Sequence, residues 1–255
     1  MILTWKVFLI VCPMVFLAGF VDAIAGGGGL ISLPAYLLAG LPAHMAIGTN
    51  KLSAATGTLV STARYCRSGH VDWGLAIPCI LGALAGAQVG ARLALLVDSE
   101  VFKIVLLVTL PVIAGYVLFR KDIRTEGEIA RKKQYVLISV ISLVIGVYDG
   151  FYGPGTGTFL LLAYCGLAKM DVLKAGGNMK LANLASNISS LLVFLRGGVV
   201  LLPLGLAAAV FSIAGHYLGA GFAMKNGTKL VRIVILAVIG LLFVKVISEA
   251  LGFAL

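Results

Sequence analysis

The sequence predicts an all-α polytopic membrane protein built from two related halves. Of its 255 residues, 60% are apolar and only 12% are charged, and the mean hydropathy is +1.08. These values exceed what a soluble domain of this size can bury. Apolar stretches long enough to be helical spans, about 20 residues each, recur along the whole chain and leave almost no room for a soluble domain.

The apolar stretches define the predicted elements in chain order. Five lie in the first half, at 7–25, 26–41, 44–63, 74–97 and 101–119, and five in the second, at 134–149, 152–168, 175–195, 199–223 and 233–254. The first is too long for a signal peptide and belongs to the repeat described next, so we interpret it as structure. The predicted domains are an N-terminal transmembrane repeat at 1–119, a basic linker at 120–133 and a C-terminal repeat at 134–255.

The two halves repeat one another in their polar and glycine residues. Asp22 returns as Asp149, a shift of 127 (149 − 22), and Lys51 returns as Lys180, a shift of 129 (180 − 51). Glycines follow the same pattern: Gly26 and Gly28 return as Gly153 and Gly155, and Gly48 returns as Gly177. Such doubling in a membrane protein is typical of a transporter whose site lies between the repeats.

The basic residues predict the topology. The net charge of +10 is concentrated in loops, which indicates the positive-inside rule rather than nucleic-acid binding. We expect the linker at 120–133 to be cytoplasmic and both termini external, with cytoplasmic loops at Arg64/Arg67, Lys169/Lys174 and Lys225/Lys229/Arg232. An odd number of crossings per half makes the repeats inverted. An alternative with re-entrant segments at 26–41 and 152–168 fits the positive-inside rule less well.

Two glycine-rich runs predict broken helices. Four consecutive glycines begin at Gly26, and the matching run Gly153-Pro154-Gly155-Thr156-Gly157 adds a proline. Each glycine costs about 1 kcal/mol relative to alanine in a helix, and proline removes a backbone donor. Backbone freed at membrane depth has to face a polar interior, and the restarted helices would aim amides that favour anions at it. The alternative is close helix packing of small residues.

Asp22 and Asp149 precede these runs inside apolar sequence, where a carboxylate is costly and is by default a functional candidate. Either could carry a coupling proton. The alternative is structural: each caps a restarted helix or pairs with a basic residue.

The third segment of each half is unusually polar and supplies the remaining candidates. Lys180, Asn183 and Asn187 fall on one helical stripe, whereas the residues around Lys51 are less cleanly aligned. Two matched lysines with amide and hydroxyl donors would suit a small oxyanion, and snorkelling to the interface is the alternative for each lysine. The predicted substrate-binding residues are Lys51, Lys180, Asn50, Thr49, Asn178, Asn183, Asn187, Gly26, Gly28, Gly153 and Gly155.

The other motifs favour structure over chemistry. Glycines recur every four residues at 82, 86 and 90 and again at 215 and 219, and we interpret them as packing faces. The three histidines lack metal-ligand spacing, and no catalytic or nucleotide-binding motif is present in the sequence. We therefore predict no enzyme activity, no cofactor, no metal and no nucleic-acid partner.

The motifs GFVDAIAGGGGLISLP, GTNKLSAATGTL, YDGFYGPGTGTF and KLANLASNISSLL resemble the TauE/SafE family of small inner-membrane transporters, also called the 4-toluene sulfonate uptake permease family. The resemblance runs the length of the chain. It implies secondary transport of sulfur-containing anions, such as sulfite, sulfonates, sulfoacetate or thiosulfate, across the bacterial inner membrane. Asn178 departs from the family pattern, which implies histidine there.

The favoured interpretation is a secondary transporter of a small sulfur-containing anion that works by alternating access, either as an exporter or as an uptake permease. A passive anion channel, or a transporter of another small anion, is the alternative. A membrane-embedded enzyme would need a catalytic constellation, and a scaffold protein would have little use for polar residues repeated at membrane depth. Transport direction, coupling ion and oligomeric state stay open.

Overall fold

The computed structural model describes residues 4–98 and 129–250, and from residue 227 onward it describes the backbone alone. The described chain is helical and contains no strand, so the all-α class is confirmed. Its eight helices are α1 (Trp5–Ala25), α2 (Gly29–Leu38), α3 (Ala43–Arg67), α4 (Trp73–Leu96), α5 (Arg131–Phe151), α6 (Thr156–Gly166), α7 (Val172–Arg196) and α8 (Leu202–Ala250).

Four of these helices are long and apolar enough to cross a bilayer: α1, α4, α5 and the first part of α8, Leu202–Asn226. The predicted segment at 101–119 and most of the linker at 120–133 lie outside the described residues. The short helices α2 and α6 have 10 and 11 residues, so each is about 15 Å long, half of a hydrocarbon core of about 30 Å.

One predicted boundary is wrong. The loop expected around Lys225, Lys229 and Arg232 is helical, and residues 202–223 and 233–250 of the segments predicted at 199–223 and 233–254 belong to one helix, α8. The sequence in that stretch contains charged residues but only one glycine, Gly227, and no proline. A single glycine weakens a helix by about 1 kcal/mol and does not end it, and charge alone is no helix terminator.

Two pairs of helices pack closely side by side. Gly215 and Gly219 of α8 approach the backbone of α1 at Phe16 and Phe20, so α1 and α8 run parallel. Gly82, Gly86 and Gly90 of α4 approach α5 from Ser139 to Phe151 in the same sense. The interpretation of these glycines as packing faces is confirmed, because an added Cβ at each would overlap the neighbouring helix.

The two parallel pairs run in opposite directions. Tyr65, near the end of α3, donates a hydrogen bond of 3.3 Å to the carbonyl of Ala23, near the end of α1. Asp72, which follows α3 by a few residues, binds Arg131 at the start of α5 at 2.6 Å. The end of α1 therefore lies at the same end of the bundle as the start of α5.

The polar helices α3 and α7, each 25 residues long, lie between these two pairs of helices. Both pack against α4 or α8 and against each other. Their serines, threonines, asparagines and lysines are largely buried, which is how so polar a helix is accommodated among apolar neighbours. Asp171 starts α7 by accepting hydrogen bonds from the amides of Leu173 (3.0 Å) and Lys174 (3.2 Å).

We expect Gly86→Leu to destabilise the protein, because its side chain would overlap the Leu143 carbonyl and the Val147 amide of α5. Overpacking of this kind costs about 1–3 kcal/mol or more. The matched control is Ala85→Leu, one residue earlier on the exposed face of α4. Thermal unfolding of both purified variants in detergent checks this; equal midpoints would contradict the packing role.

Candidate functional site

The two helix breaks lie where the glycine runs predict them, and they contact each other. The first separates Ala25 from Gly29 and the second separates Phe151 from Thr156. Gly26 has a φ of +77° and Gly155 a φ of +84°, which residues with a Cβ rarely adopt. A Cβ at Gly26 would also overlap the backbone of Gly157 in the other half. The prediction of a broken-helix pair is confirmed.

A cavity with an empty volume of about 500 Å³, its opening included, lies between the breaks and the inner helices α3 and α7. Most of the predicted site residues line it. These are Asp22, Gly28, Asn50, Lys51, Asp149, Gly153, Gly155, Asn183 and Asn187. Gly26, Thr49, Asn178 and Lys180 do not line it.

Thr49 and Asn178 instead hold loops in equivalent ways. Thr49 Oγ1 accepts a hydrogen bond from the amide of Leu201 (3.0 Å), before α8. Asn178 Oδ1 accepts one from the amide of Asp72 (2.8 Å), before α4, and its Nδ2 donates to the Asp72 carbonyl (3.0 Å). Both pairs obey the shift of 129 (178 − 49 and 201 − 72). The contacts therefore indicate that these two side chains position loops.

The Asp72 side chain is held by Arg131, which donates hydrogen bonds of 2.6 and 2.8 Å to its two oxygens. These hydrogen bonds keep the pKa of the Asp72 carboxyl below its ordinary value. The ion pair joins the starts of α4 and α5, but it is partly exposed and so stabilises the fold only modestly.

The candidate lysines and aspartates form two ion pairs, each between the two halves. Lys51 Nζ lies 2.8 Å from Asp149 Oδ2, and Lys180 Nζ lies 2.9 Å from Asp22 Oδ2. Both lysines are buried, with 2% and 0% of their surface exposed. The structure thus contains the pairing with a basic residue that was the alternative for the aspartates. A role of Asp22 or Asp149 in proton coupling stays a prediction.

Four groups contact Asp22. Besides Lys180, which also donates to its backbone carbonyl, the carboxylate contacts the Gly28 amide (3.2 Å), Asn183 Nδ2 (3.4 Å) and His216 Nε2 (3.3 Å). Sequence reasoning missed His216, which lines the cavity. Its only signal was the presence of a titratable side chain inside an apolar segment.

Asp149 has a simpler environment. Ser186 Oγ donates a hydrogen bond of 2.5 Å to Asp149 Oδ2, the same oxygen that Lys51 contacts. Ser186 was also missed, because a serine in a polar helix carries no signal of its own. Lys51 donates a second hydrogen bond, of 3.0 Å, to Asn187 Oδ1.

The positive ends of α2 and α6 converge on this cavity. Gly29, the first residue of α2, and Gly157, the second residue of α6, both line it. Within residues 4–98 and 129–250, no acceptor is hydrogen bonded to the amide of either glycine. Lys51 has three donor hydrogens, and two of them go to Asp149 and Asn187. The cavity therefore offers unpaired amides and a lysine, which suit an anion.

A family model described as sulfite exporter TauE/SafE matches residues 11–246 of this chain. The chain belongs to the TauE/SafE family. The resemblance seen in its motifs is thereby confirmed.

Relatives within the TauE/SafE family cover nearly the whole chain. The probable membrane transporter protein ORF9 of Sinorhizobium sp is 37% identical over 234 residues, 92% of this chain and 90% of that protein. A probable membrane transporter protein of Haemophilus influenzae is 37% identical over 217 residues, 85% of each chain. The probable membrane transporter protein YfcA of Escherichia coli K12 is 33% identical over 236 residues, 92% of this chain and 88% of that protein. No solved structure matches.

The TauE/SafE family consists of membrane transporters, which agrees with the four apolar helices of span length. The chain is therefore a multi-pass membrane protein of a transporter family. Among the described residues no group of three histidines, cysteines or carboxylates is placed to hold a metal ion.

Proposed function

We propose that this protein is a secondary transporter that carries a small sulfur-containing anion across the bacterial cytoplasmic membrane and binds it in the cavity between the two helix breaks. The proposal is carried by the convergence of two helix N-termini on the cavity lined by Lys51, where the amides of Gly29 and Gly157 have no hydrogen-bond acceptor among the described residues. Amides at helix N-termini attract anions through the partial positive charge of the helix end.

The amide and lysine donors favour an oxyanion over a cation or an apolar solute. Asn50, Asn183 and Asn187 add amide side chains to the lining, and Ser53, Thr58 and Thr156 add hydroxyls. Such groups replace the hydration shell of an oxyanion without requiring a metal. The sulfur class of the substrate is supported by the description of the matched family, sulfite exporter.

Alternating access would follow from an inverted repeat. The inverted repeat is supported by the packing of α1 beside α8 and of α5 beside α4, because these two parallel pairs run in opposite directions. The two ion pairs, Lys51 with Asp149 and Lys180 with Asp22, each join one half to the other at the cavity. Rocking of one half against the other would open the cavity to either side in turn.

Transport by purified protein in proteoliposomes tests the function. With a pH gradient imposed and no starting gradient of anion, radiolabelled sulfite or methanesulfonate is expected to accumulate above its external concentration, and the cation potassium is expected not to compete. Uptake that stops at equal concentrations on both sides would establish the passive channel instead. The absence of any protein-dependent flux of either anion would contradict the proposal.

A further inference from the structure

His216 lies at the cavity with both ring nitrogens in contact with oxygen atoms. Nδ1 is 2.9 Å from the backbone carbonyl oxygen of Ser212, and Nε2 is 3.3 Å from Oδ2 of Asp22. The side chain is buried, with 3% of its surface exposed. The ring is thus held between two partners inside the protein.

Both of these oxygen atoms can only accept hydrogen bonds, and the Ser212 hydroxyl, which could donate one, lies further from Nδ1, at 3.4 Å. A backbone carbonyl has no hydrogen to give, and the Asp22 carboxylate already accepts hydrogen bonds from Lys180 and the Gly28 amide, as an ionised carboxylate does. A neutral imidazole has one N–H and one lone pair, so it could satisfy only one of the two contacts. The geometry fits an imidazolium, which donates from both nitrogens.

The repeat shows that this histidine is an addition to one half. By the shift of 129, His216 matches Ala87 and Ser186 matches Gly57 (216 − 87 and 186 − 57). In one half, Ser186 donates to Asp149. In the other, Gly57 leaves the serine position empty, a Cβ there would overlap Ser212 Oγ and the His216 ring, and His216 Nε2 contacts Asp22 in place of a serine. One aspartate therefore has a hydroxyl donor and the other a titratable donor.

Without His216, the charges of the two ion pairs cancel. Lys51 and Lys180 contribute two positive charges, and Asp22 and Asp149 contribute two negative charges, a sum of zero. An imidazolium at His216 brings the sum to +1, the charge that matches one monovalent anion. Without that proton, an anion would enter a neutral cluster.

We propose that His216 carries the proton that accompanies the anion, with Nε2 as the atom that takes it up from water in the cavity and releases it to that water. The proposal rests on the proposed transport of a small anion. When Nε2 loses its proton, two acceptors face each other across the contact with Asp22, so the attraction becomes a repulsion and α8 is pushed from α1. Proton release, anion release and a change in helix packing are thereby linked, and the proton-carrying role moves from Asp22 and Asp149 to His216.

Titratable and charged side chains on four neighbouring helices lie around His216. Helix α1 contributes Asp22, which contacts the ring. Helix α3 contributes Lys51, which lines the same cavity, Tyr65, whose hydroxyl donates to the Ala23 carbonyl, and Arg64, which is stacked on exposed Tyr217 at 4.2 Å. Helix α7 contributes Lys180, which binds Asp22. Helix α2 carries Tyr36, whose hydroxyl bonds Ser53 at 3.0 Å. Among these described groups, Asp22 alone contacts the His216 ring directly.

The first test measures protonation of the protein without any substrate. Nitrogen NMR of histidine-labelled protein, with His216 assigned by comparison with His216→Gln, is expected to show both ring nitrogens protonated at mildly acidic pH and Nε2 deprotonated as pH rises. A ring that keeps one unprotonated nitrogen at every pH at which the protein stays folded would overturn the proposal. This result does not depend on transport.

The second test rebuilds in one half the arrangement found in the other. In Gly57→Ser/Ser212→Ala/His216→Ala, both side chains that a Cβ at Gly57 would overlap are shortened to alanine, as at Ala83 and Ala87 in the other half, and the new serine takes the place opposite Asp22 that Ser186 has opposite Asp149. We expect the accumulation of labelled methanesulfonate that a pH gradient drives to be at least tenfold lower in this variant than in the parent protein, and its exchange of labelled for unlabelled methanesulfonate to become independent of pH. Methanesulfonate is suitable because it stays a monovalent anion across the pH range of the assay.

The matched control is His70→Ala, which removes a histidine from the loop after α3 and should leave accumulation unchanged. Accumulation by the triple variant equal to that of the parent would overturn the proposal while leaving the transport function intact. If the parent moves no anion, the proposed function fails, and the NMR titration then decides alone whether His216 is the titrating group.

Discussion

Replacing Lys180 by glutamine is expected to cost roughly 3–5 kcal/mol of stability, enough to leave little folded protein. The lysine is fully buried, and its ammonium binds both the carboxylate and the backbone carbonyl of Asp22. Without it, a carboxylate with only 13% of its side chain exposed would lose its cationic partner. Yield of monodisperse protein and its thermal unfolding midpoint are the measurements.

The double variant Asp22→Asn/Lys180→Gln distinguishes a lost charge partner from lost packing. With both charges gone, neutral amides replace the ion pair at nearly the same volume, so most of the stability should return. Lys174→Gln, an exposed lysine on the same helix, is the control and should be neutral. A double variant as unstable as Lys180→Gln would contradict the account of this pair.

Gly26→Ala is expected to abolish anion transport. A methyl group there would overlap the backbone of Gly157 and Thr158, so the two breaks would have to move apart and the cavity between them would change shape. The φ of +77° adds a conformational cost of about 1 kcal/mol. Initial rates of sulfite uptake into proteoliposomes measure the effect.

Gly40→Ala provides a control for backbone strain. Gly40 has a φ of +86°, similar to that of Gly26, but no atom lies within 4 Å of the position of an added Cβ. It should therefore carry the cost of positive φ without the overlap, and its uptake should stay within about twofold of the parent. Equal loss of transport in both variants would mean that strain, and not the contact between the breaks, is responsible.

The features that local chemistry determines could be predicted from the sequence. Runs of glycine break helices wherever they occur, so the breaks after Ala25 and Phe151 followed from the residues alone. The packing glycines of α4 and α8 followed from their four-residue spacing. The continuity of α8 did not follow. The charged residues between its two apolar segments were interpreted as a loop, but charge alone does not end a helix and this stretch contains no proline.

Features that depend on distant partners could not be predicted. Lys180 and Asp22 are 158 positions apart, and nothing in either segment says that Lys180 lies behind Asp22, away from the cavity, while Lys51 lines it. Thr49 looked like a ligand because hydroxyls suit anions, yet its oxygen accepts the amide of Leu201. His216 was set aside because the three histidines lack metal-ligand spacing, and it has no counterpart in the repeat that would have marked it as a site residue.

The location of a bound anion shows whether the cavity between the two helix breaks is the binding site. In a structure determined with methanesulfonate or sulfite, with sulfur located by its anomalous scattering, we expect the anion between the amides of Gly29 and Gly157 and within hydrogen-bonding distance of Lys51 Nζ. Anion bound elsewhere in the protein, with water alone between the two helix breaks at saturating concentration, would contradict the account.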